Sequence, residues 1–369
     1  MTSDDSVVIL AYPLDFATVS AGAMIDMPAR DTLVLTRHDI RRLMSMDECI
    51  DAVEDAFRQH AVGRSIPPGV LGSHAAGGGF HVKTAGLAGE QPVFATKVNA
   101  NFPGNPARSG LPTIQGVVAL FDSTNGRVLA VLDSIEITSV RTAAASAVAA
   151  RHLAREDAAT VTVCGCGEQG RSQLRALTRV RTIHRVFAFD IDIAKAEAYV
   201  RELSSELDVD ITAVRELGEQ TRRSDLWVTC TPARRWFVGR IHVSPGALVL
   251  AVGADNDDKQ EIEPALLAAS TVVADVLEQC AAIGDLHHAL ESGIMRREDV
   301  HAELADVVSG RRPGRTRADE IIIFDSTGTA LQDVAAAQLV YRRAVASGVG
   351  TSIDFGSAAL PNGEPVAPR

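Results

Sequence analysis

The stretch Val161-Thr-Val-Cys-Gly165-Cys-Gly167-Glu-Gln-Gly170 has the most specific local pattern in the middle of this 369-residue chain. A run of β-branched residues leads directly into three glycines spaced as G-x-G-x-x-G, and a helical apolar pattern follows them. In such a strand–turn–helix unit, the first glycine allows a tight turn and the second lets the backbone approach a pyrophosphate. The third lets the helix pack close to the strand. The stretch therefore predicts a dinucleotide-binding unit, with a glycine turn that binds no cofactor as the alternative.

The same loop suggests which residues would hold the cofactor. Gly165, Gly167, Glu168 and Gln169 stand where the backbone N–H groups of a helix start bind phosphate. Asp190 ends the next strand, 25 residues after Gly165, where a carboxylate accepts hydrogen bonds from the adenosine ribose and repels a 2′-phosphate. We therefore expect the cofactor to be NAD(H) rather than NADP(H).

Strand-like and helix-like segments alternate on both sides of the loop, from residue 159 to residue 325. The strand-like runs are 160–164, 186–189, 226–229, 248–252, 271–276 and 321–324. Strands that alternate with helices indicate a parallel sheet with right-handed crossovers. We therefore predict the α/β fold class, with a Rossmann dinucleotide-binding domain over residues 151–329.

The two flanks of the chain follow a different pattern. Residues 64–132 contain short apolar runs and a hairpin turn at 122–126, which indicate a mixed sheet. Helical patterns precede and follow this sheet: one begins at the capping box of Ser45 and Glu48, and others cover about 135–155 and 330–346. We expect an α+β domain built from both chain ends, 31–150 and 330–360, with residues 1–30 as an N-terminal, flexible extension.

Composition narrows the class of protein. Hydrophobic residues make up 46% and charged residues 22%, as in an ordinary globular enzyme. The net charge of −11 argues against nucleic-acid binding, which needs a basic face. No apolar run reaches the roughly 20 residues of a membrane helix, and no signal-peptide pattern is present, so we expect a cytoplasmic protein. Cys164 and Cys166 lack a second Cys/His pair at zinc spacing, and we expect no metal site.

Several further motifs occur in order and with consistent spacing, and they are more specific than the glycine loop alone. They are Ala95-Thr-Lys97-Val-Asn99, Asn101-Phe-Pro103, Gly110-Leu-Pro-Thr113-Ile-Gln-Gly116, Asp133-Ser-Ile-Glu-Ile-Thr-Ser-Val-Arg141-Thr142, Val252-Gly-Ala-Asp255-Asn-Asp-Asp-Lys259-Gln-Glu261 and Asp325-Ser326-Thr327-Gly328. With these motifs the chain resembles the ornithine cyclodeaminase/μ-crystallin family over nearly everything from Thr32 to Ala346.

The resemblance implies an architecture and a set of roles. It implies a homodimer in which the domain made from both chain ends mediates dimerisation and binds substrate. It implies that Lys97 is the active-site lysine, that Arg141 binds the substrate carboxylate, and that Asp255 is the general acid/base. It also implies cofactor contacts, to which we add the loop residue Thr231; the whole set is Thr113, Thr142, Thr231, Lys259 and Ser326.

These residue types suit the functional groups of an amino-acid substrate. A planar arginine fork can hold a carboxylate through two hydrogen bonds, and a nearby lysine cation stabilises its negative charge. Hydride leaves Cα as the amine loses a proton, which a carboxylate such as Asp255 can accept. The resemblance therefore implies an NAD-dependent cyclodeaminase or oxidoreductase that acts at the α-carbon of a small amino or imino acid.

One segment departs from the family pattern. Relatives often carry an arginine upstream of the active-site lysine, but residues 67–74 contain none, and His81 or Lys83 lies in the neighbourhood instead. We expect Lys83 to act as a second cation for the substrate, or else to point to solvent. A second cation disfavours ornithine and favours an acidic or neutral side chain. Three functions stay open: ornithine cyclodeamination, imine reduction or amino-acid dehydrogenation, and non-catalytic ligand binding.

Overall fold

The computed structural model describes residues 31–355, so the predicted extension at 1–30 lies outside the described residues. The strands, numbered in chain order, are β1 (Asp31–Leu35), β2 (Ser65–Ala75), β3 (Gly78–Leu87), β4 (Val93–Asn101), β5 (Ile114–Asp122), β6 (Val128–Asp133), β7 (Thr160–Cys164), β8 (Arg185–Phe189), β9 (Asp210–Val214), β10 (Leu226–Thr229), β11 (Arg234–Val238), β12 (Leu248–Ala251), β13 (Gln260–Ile262), β14 (Thr271–Ala274), β15 (Ala302–Glu303), β16 (Ile322–Asp325) and β17 (Thr351–Asp354).

The α-helices occupy the connections between these strands. They are α1 (Arg37–Leu43), α2 (Met46–Ala61), α3 (Asn105–Ser109), α4 (Ser134–Leu153), α5 (Glu168–Val180), α6 (Ile193–Leu207), α7 (Glu219–Arg222), α8 (Pro264–Ala268), α9 (Leu277–Ile283), α10 (Asp285–Glu291), α11 (Leu304–Val308) and α12 (Ala330–Ser347). Within residues 31–355, none of the helices has both the length and the apolar character that crossing a bilayer requires.

The middle of the chain forms an eight-stranded parallel sheet in the order β15-β14-β16-β12-β10-β7-β8-β9. The strand order reverses beside β7, which has β8 on one side and β10 on the other. Ligands of open α/β sheets bind outside the carboxyl ends of the strands at such a reversal. The glycine loop follows β7 at this point, which confirms the predicted Rossmann-type sheet.

Both ends of the described chain contribute to a second sheet of seven strands, in the order β17-β1-β6-β5-β4-β3-β2. Its neighbouring strands are antiparallel except for β1 and β6. Helix α12 packs on β3 and β4, so the end of the chain covers one face of this sheet. The mixed sheet and the α/β fold class are as predicted, and the exact domain boundaries remain a prediction.

Helix α4 links the two sheets and carries Arg141. Its N-cap is Asp133, whose carboxylate accepts hydrogen bonds from the backbone N–H groups of Ile135 and Glu136 at 3.1 and 3.3 Å. Residues 143–150 are buried, and the helix contacts α2, α5 and α12. A helix surrounded by protein needs small side chains on several faces, which explains its alanine content. This packing fixes Arg141 between the two sheets.

Candidate active site

Two of the predicted residues meet at a carboxylate that the sequence reasoning missed. Lys97 of β4 and Arg141 of α4 both contact Asp333 of α12: the Lys97 Nζ and the Arg141 Nε each lie 2.8 Å from a carboxylate oxygen. The Arg141 guanidinium also donates a hydrogen bond to the Gln332 side-chain oxygen at 2.5 Å. Lys97, Arg141 and Asp333 are almost completely buried. The structure therefore brings together the predicted substrate-binding cations and fixes both on one counter-ion.

A signal for Asp333 was present in the sequence. It lies on the same helical face as Ala337, Val340 and Ala344, all of which are buried in α12. A carboxylate on the buried face of a helix needs a partner, because burying an unpaired charge is costly. That argument indicates a cation near Asp333, although it does not identify Lys97 and Arg141 across more than 190 residues of chain.

Lys83 does not point to solvent. It lies on β3 directly opposite Lys97 in the register of the two strands, and only 8% of its surface is exposed. Its ammonium donates hydrogen bonds to the backbone carbonyls of Thr327 and Gly328, at 2.9 and 2.7 Å. These carbonyls follow β16 of the parallel sheet, so Lys83 lies where the two sheets meet. The prediction that Lys83 adds a second cation beside Lys97 fits this position.

The cluster of Lys83, Lys97, Arg141 and Asp333 has more positive than negative groups. Burial and the charge of Arg141 lower the pKa of Lys97 to about 7, although Asp333 acts in the opposite direction. Burial alone would raise the pKa of Asp333, but Arg141 and Lys97 outweigh it and lower that pKa, so the carboxylate is ionised. A buried site with surplus positive charge is suited to an incoming anion such as a substrate carboxylate.

Asp255 follows β12, at the carboxyl edge of the parallel sheet. Its carboxylate accepts a hydrogen bond from the Lys259 ammonium at 2.6 Å, and 54% of its side chain is exposed. Burial alone would raise the pKa of Asp255, but the Lys259 charge and hydrogen bond, together with Lys83, lower it. An ionised, accessible carboxylate is the form that can accept a proton from a substrate amine.

The glycine loop has the geometry that a dinucleotide requires. Gly165 has a φ of +103°, and a Cβ on Gly170 would lie 2.1 Å from the Gly165 carbonyl oxygen. A Cβ on Gly167 would meet no atom within 4 Å, so space is open beside it. Gly167 also caps α5 without a side chain, which leaves the N–H groups of the first turn for a phosphate. Asp190 accepts a hydrogen bond from the Cys166 backbone N–H at 2.9 Å and so lies against the loop.

The remaining predicted cofactor residues occupy varied positions. Glu168 and Gln169 are the first residues of α5. Thr113 lies directly before β5, Thr142 lies directly after Arg141, and both threonines are half-buried. Ser326 is buried, and its hydroxyl donates a hydrogen bond to Asp275 at 3.0 Å. The cofactor roles of these residues remain predictions.

Four buried carboxylates behind the site went unnoticed as a group in the sequence. They are Glu261, Asp275, Asp285 and Asp325. Glu261 accepts hydrogen bonds from both the backbone N–H and the hydroxyl of Thr231, at 2.7 and 2.6 Å, and from the Gly253 N–H at 2.9 Å. It therefore ties the loop after β10 to the loop that carries Asp255.

Asp275 has a similar role on the other side of the site. It accepts hydrogen bonds from the Ser326 hydroxyl at 3.0 Å and the Gly328 N–H at 2.8 Å. This bonding fixes the 326–328 turn whose carbonyls bind Lys83. Burial raises the pKa of Asp325, and backbone N–H groups of Asp285 and Leu286 donate to its carboxylate. Asp325 therefore stabilises the backbone rather than facing a ligand.

The fold and the site together define a Rossmann-type protein with a buried, cation-rich cluster and an accessible carboxylate at Asp255. The chain belongs to the ornithine cyclodeaminase/mu-crystallin family, which it matches over residues 30–348. The resemblance inferred from the motifs is therefore confirmed, as is the fold class.

Three solved structures are similar to this chain along most of their length. An archaeal alanine dehydrogenase dimer with bound NAD is 37% identical with a TM-score of 0.84, and the match covers 88% of this chain and 100% of that one. The Thermococcus litoralis Δ1-pyrroline-2-carboxylate reductase, in complex with NADH and L-proline, is 32% identical with a TM-score of 0.83 and coverage of 87% and 100%. The Paracoccus denitrificans iminosuccinate reductase, in complex with NAD⁺, is 31% identical with a TM-score of 0.81 and coverage of 88% and 99%.

Proposed function

We propose that this protein is an NAD(H)-dependent enzyme that transfers hydride at the α-carbon of a small amino or imino acid. The observation that carries the proposal is the buried cluster of Lys97, Arg141 and Asp333, whose positive charge exceeds its negative charge beside the ionised Asp255. The likeness to an amino-acid dehydrogenase and two imine reductases supports the same reaction class.

The residues of the chain bind and orient the substrate, and one of them transfers a proton. The Arg141 Nε lies against Asp333 and one Nη N–H bonds to Gln332, so the other N–H groups of the guanidinium would bind the substrate α-carboxylate. Lys97 adds a second positive charge. Asp255 accepts a proton from the substrate amine when an imine forms and returns it during reduction. The nicotinamide supplies the hydride acceptor or donor. The glycine loop, the start of α5 and Asp190 would hold the dinucleotide, and the carboxylate of Asp190 favours NAD(H) over NADP(H).

Lys83 favours net oxidation or reduction over ornithine cyclodeamination. A diamino acid brings a distal ammonium, and a buried ammonium at Lys83 would repel it if the substrate side chain extends toward β3. Cyclodeamination is the second candidate, because the same carboxylate clamp and the same Asp255 would serve its first step. A non-catalytic binder, the third function, has no use for an ionised carboxylate at the position of Asp255.

Product analysis tests the proposal and separates the candidates. The protein is incubated with L-ornithine and a small amount of NAD⁺, and proline, ammonia and NADH are measured. In parallel, NADH oxidation is followed with Δ1-pyrroline-2-carboxylate and with α-keto acids plus ammonia. We expect net NADH oxidation in the second set. Equal amounts of proline and ammonia without NADH accumulation would establish cyclodeamination instead. Absence of turnover in both sets, with NADH bound normally, would favour the binder.

We also propose that the protein is a homodimer. The face of the seven-stranded sheet opposite Lys97 has a row of aligned apolar side chains across four strands: Leu71, Val82, Val98 and Val117. Leu71 and Val117 are 51% and 45% exposed, which is unusual for an apolar row of this length. A second copy of the chain would cover this face, in keeping with the dimer of the archaeal alanine dehydrogenase.

Sedimentation of the wild type and of Val117→Asp tests the dimer. We expect a dimeric wild type and a monomeric variant, and a monomeric wild type would contradict the proposed dimer.

A cytoplasmic location remains a proposal from the sequence.

A further inference from the structure

Lys83 is a buried ammonium that has no counter-ion among the residues the structure describes. Among residues 31–355, no carboxylate forms an ion pair with it, and its hydrogen bonds go to the neutral carbonyls of Thr327 and Gly328. An ammonium has three N–H donors, so one donor remains after these two bonds. Burying a charge in this way is costly, and burial and the nearby Arg141 accordingly lower the pKa of Lys83.

The anions nearest Lys83 are committed to other partners. Asp333 bonds to Lys97 and Arg141, and Asp255 bonds to Lys259. Asp275 accepts hydrogen bonds from the 326–328 turn and from the Val276 N–H. Each of these carboxylates attracts Lys83 only from a distance. The counter-ion that Lys83 lacks can therefore arrive with a ligand.

The register of the sheet indicates which ligand fits. Lys83 and Lys97 face each other across neighbouring strands β3 and β4, so their backbones are about 5 Å apart and their side chains project from the same face. Lys97 and Arg141 form the site proposed for the α-carboxylate. A second carboxylate, separated from the first by the two or three carbons of a short diacid, would lie one strand over, at Lys83.

We propose that Lys83 binds a side-chain carboxylate of the substrate, so that the preferred substrates are four- or five-carbon amino dicarboxylates or the corresponding imines. This inference rests on the proposed function and specifies its substrate class. Lys83 is then a specificity-determining residue: it stabilises the second negative charge and takes no part in hydride or proton transfer.

Steady-state kinetics with matched substrates test the inference. The value of kcat/KM is measured with NADH and ammonia for oxaloacetate and 2-oxoglutarate against pyruvate. We expect the wild type to prefer the diacids. In Lys83→Met the ratio of kcat/KM for a diacid to kcat/KM for pyruvate should fall about 10- to 100-fold, as for the loss of one charge-assisted hydrogen bond. Lys83→Arg should lower this ratio less than Lys83→Met does. Arg201→Met, which removes an exposed cation from α6, should leave it unchanged.

Two results would overturn the inference while leaving the proposed function intact. One is a wild type that turns over pyruvate or a cyclic imine but not the diacids. The other is a Lys83→Met variant that loses activity equally on all substrates together with NADH affinity, because that pattern would make Lys83 a structural support of the 326–328 turn.

Absence of turnover with all of these substrates would remove the proposed function. Binding measurements would still test the dicarboxylate site. Calorimetry in the presence of NADH then compares succinate with propionate. Tighter binding of succinate by the wild type, lost in Lys83→Met, would support the dicarboxylate site. Equal binding of the two acids, or equal binding by wild type and variant, would overturn it.

Discussion

The glycine loop and the cluster of Lys83, Lys97, Arg141 and Asp333 are built in opposite ways. The loop is contiguous, from Val161 to Gly170, and its function follows from backbone geometry. The cluster joins side chains from β3, β4, α4 and α12, and its function follows from charge. A contiguous backbone site can be identified from local sequence, whereas a charge cluster depends on the tertiary fold that assembles it. Substitutions in the two regions should therefore affect different properties: stability and charge-dependent binding for the cluster, and NADH affinity for the loop.

The largest effect is expected from removing the counter-ion of the cluster. Asp333→Asn leaves Lys97 and Arg141 buried without a negative partner, and breaking such a pair typically costs about 3–5 kcal/mol of unfolding free energy. Urea denaturation measures this loss. Asp319→Asn is the matched control, because its ion pair with Arg317 is exposed and should be worth less than about 1 kcal/mol. Equal stability of the two variants would show that Asp333 does not neutralise the cluster.

Two glycine variants separate packing from cofactor binding in the loop. Gly170→Ala places a Cβ 2.1 Å from the Gly165 carbonyl oxygen and should lower both the stability, by about 1–3 kcal/mol, and the NADH affinity. Gly167→Ala meets no protein atom within 4 Å, so it should lower the NADH affinity while the melting temperature stays near that of the wild type. Thermal unfolding and NADH fluorescence titration measure the two properties. Normal NADH binding by Gly167→Ala would contradict the close approach of the pyrophosphate.

The sequence predicted these two regions to different degrees, for physical reasons. The loop and the existence of a parallel sheet followed from local pattern, and the structure agrees with both, whereas the strand order came only from the structure. Lys97 and Arg141 were identified only through family motifs, since a lysine on a strand and an arginine on an alanine-rich helix are ambiguous alone. The contacts of Asp333 and Glu261 were missed because their partners lie on other elements, and no local spacing marks such contacts. The orientation of Lys83 required the register of β3 against β4.

The pH dependence of the reaction provides a test of the cluster alone. Burial and Arg141 lower the pKa of Lys97 to about 7, so its cationic form is present below that pH and is lost as the pH rises through it. The value of kcat/KM should therefore fall on the alkaline side, with an apparent pKa near 7. In Lys97→Arg the side chain remains charged, and the fall should move to higher pH. A wild-type profile of kcat/KM that stays flat from about pH 6 to about pH 9 would contradict a binding role for the Lys97 cation.

A smaller effect is expected at the adenosine end of the loop. Asp190→Asn removes a charge but can still accept a hydrogen bond from the Cys166 N–H. The preference for NAD⁺ over NADP⁺ should relax by about tenfold, as for the loss of a repulsion on the order of 1 kcal/mol near the surface. Separate kcat/KM values for the two cofactors measure the change. An unchanged preference would mean that Asp190 does not face the ribose.

Transfer of deuterium from the cofactor to the α-carbon would demonstrate hydride transfer at that carbon. NADH carrying deuterium at the transferable C4 position is incubated with the protein, ammonia and a set of α-keto acids, or with Δ1-pyrroline-2-carboxylate, and the products are analysed by mass spectrometry. We expect an amino acid with one deuterium at C2, and its formation should be lost in Asp255→Asn. Bound NADH with no deuterated amino acid from any of these substrates would contradict hydride transfer at the α-carbon.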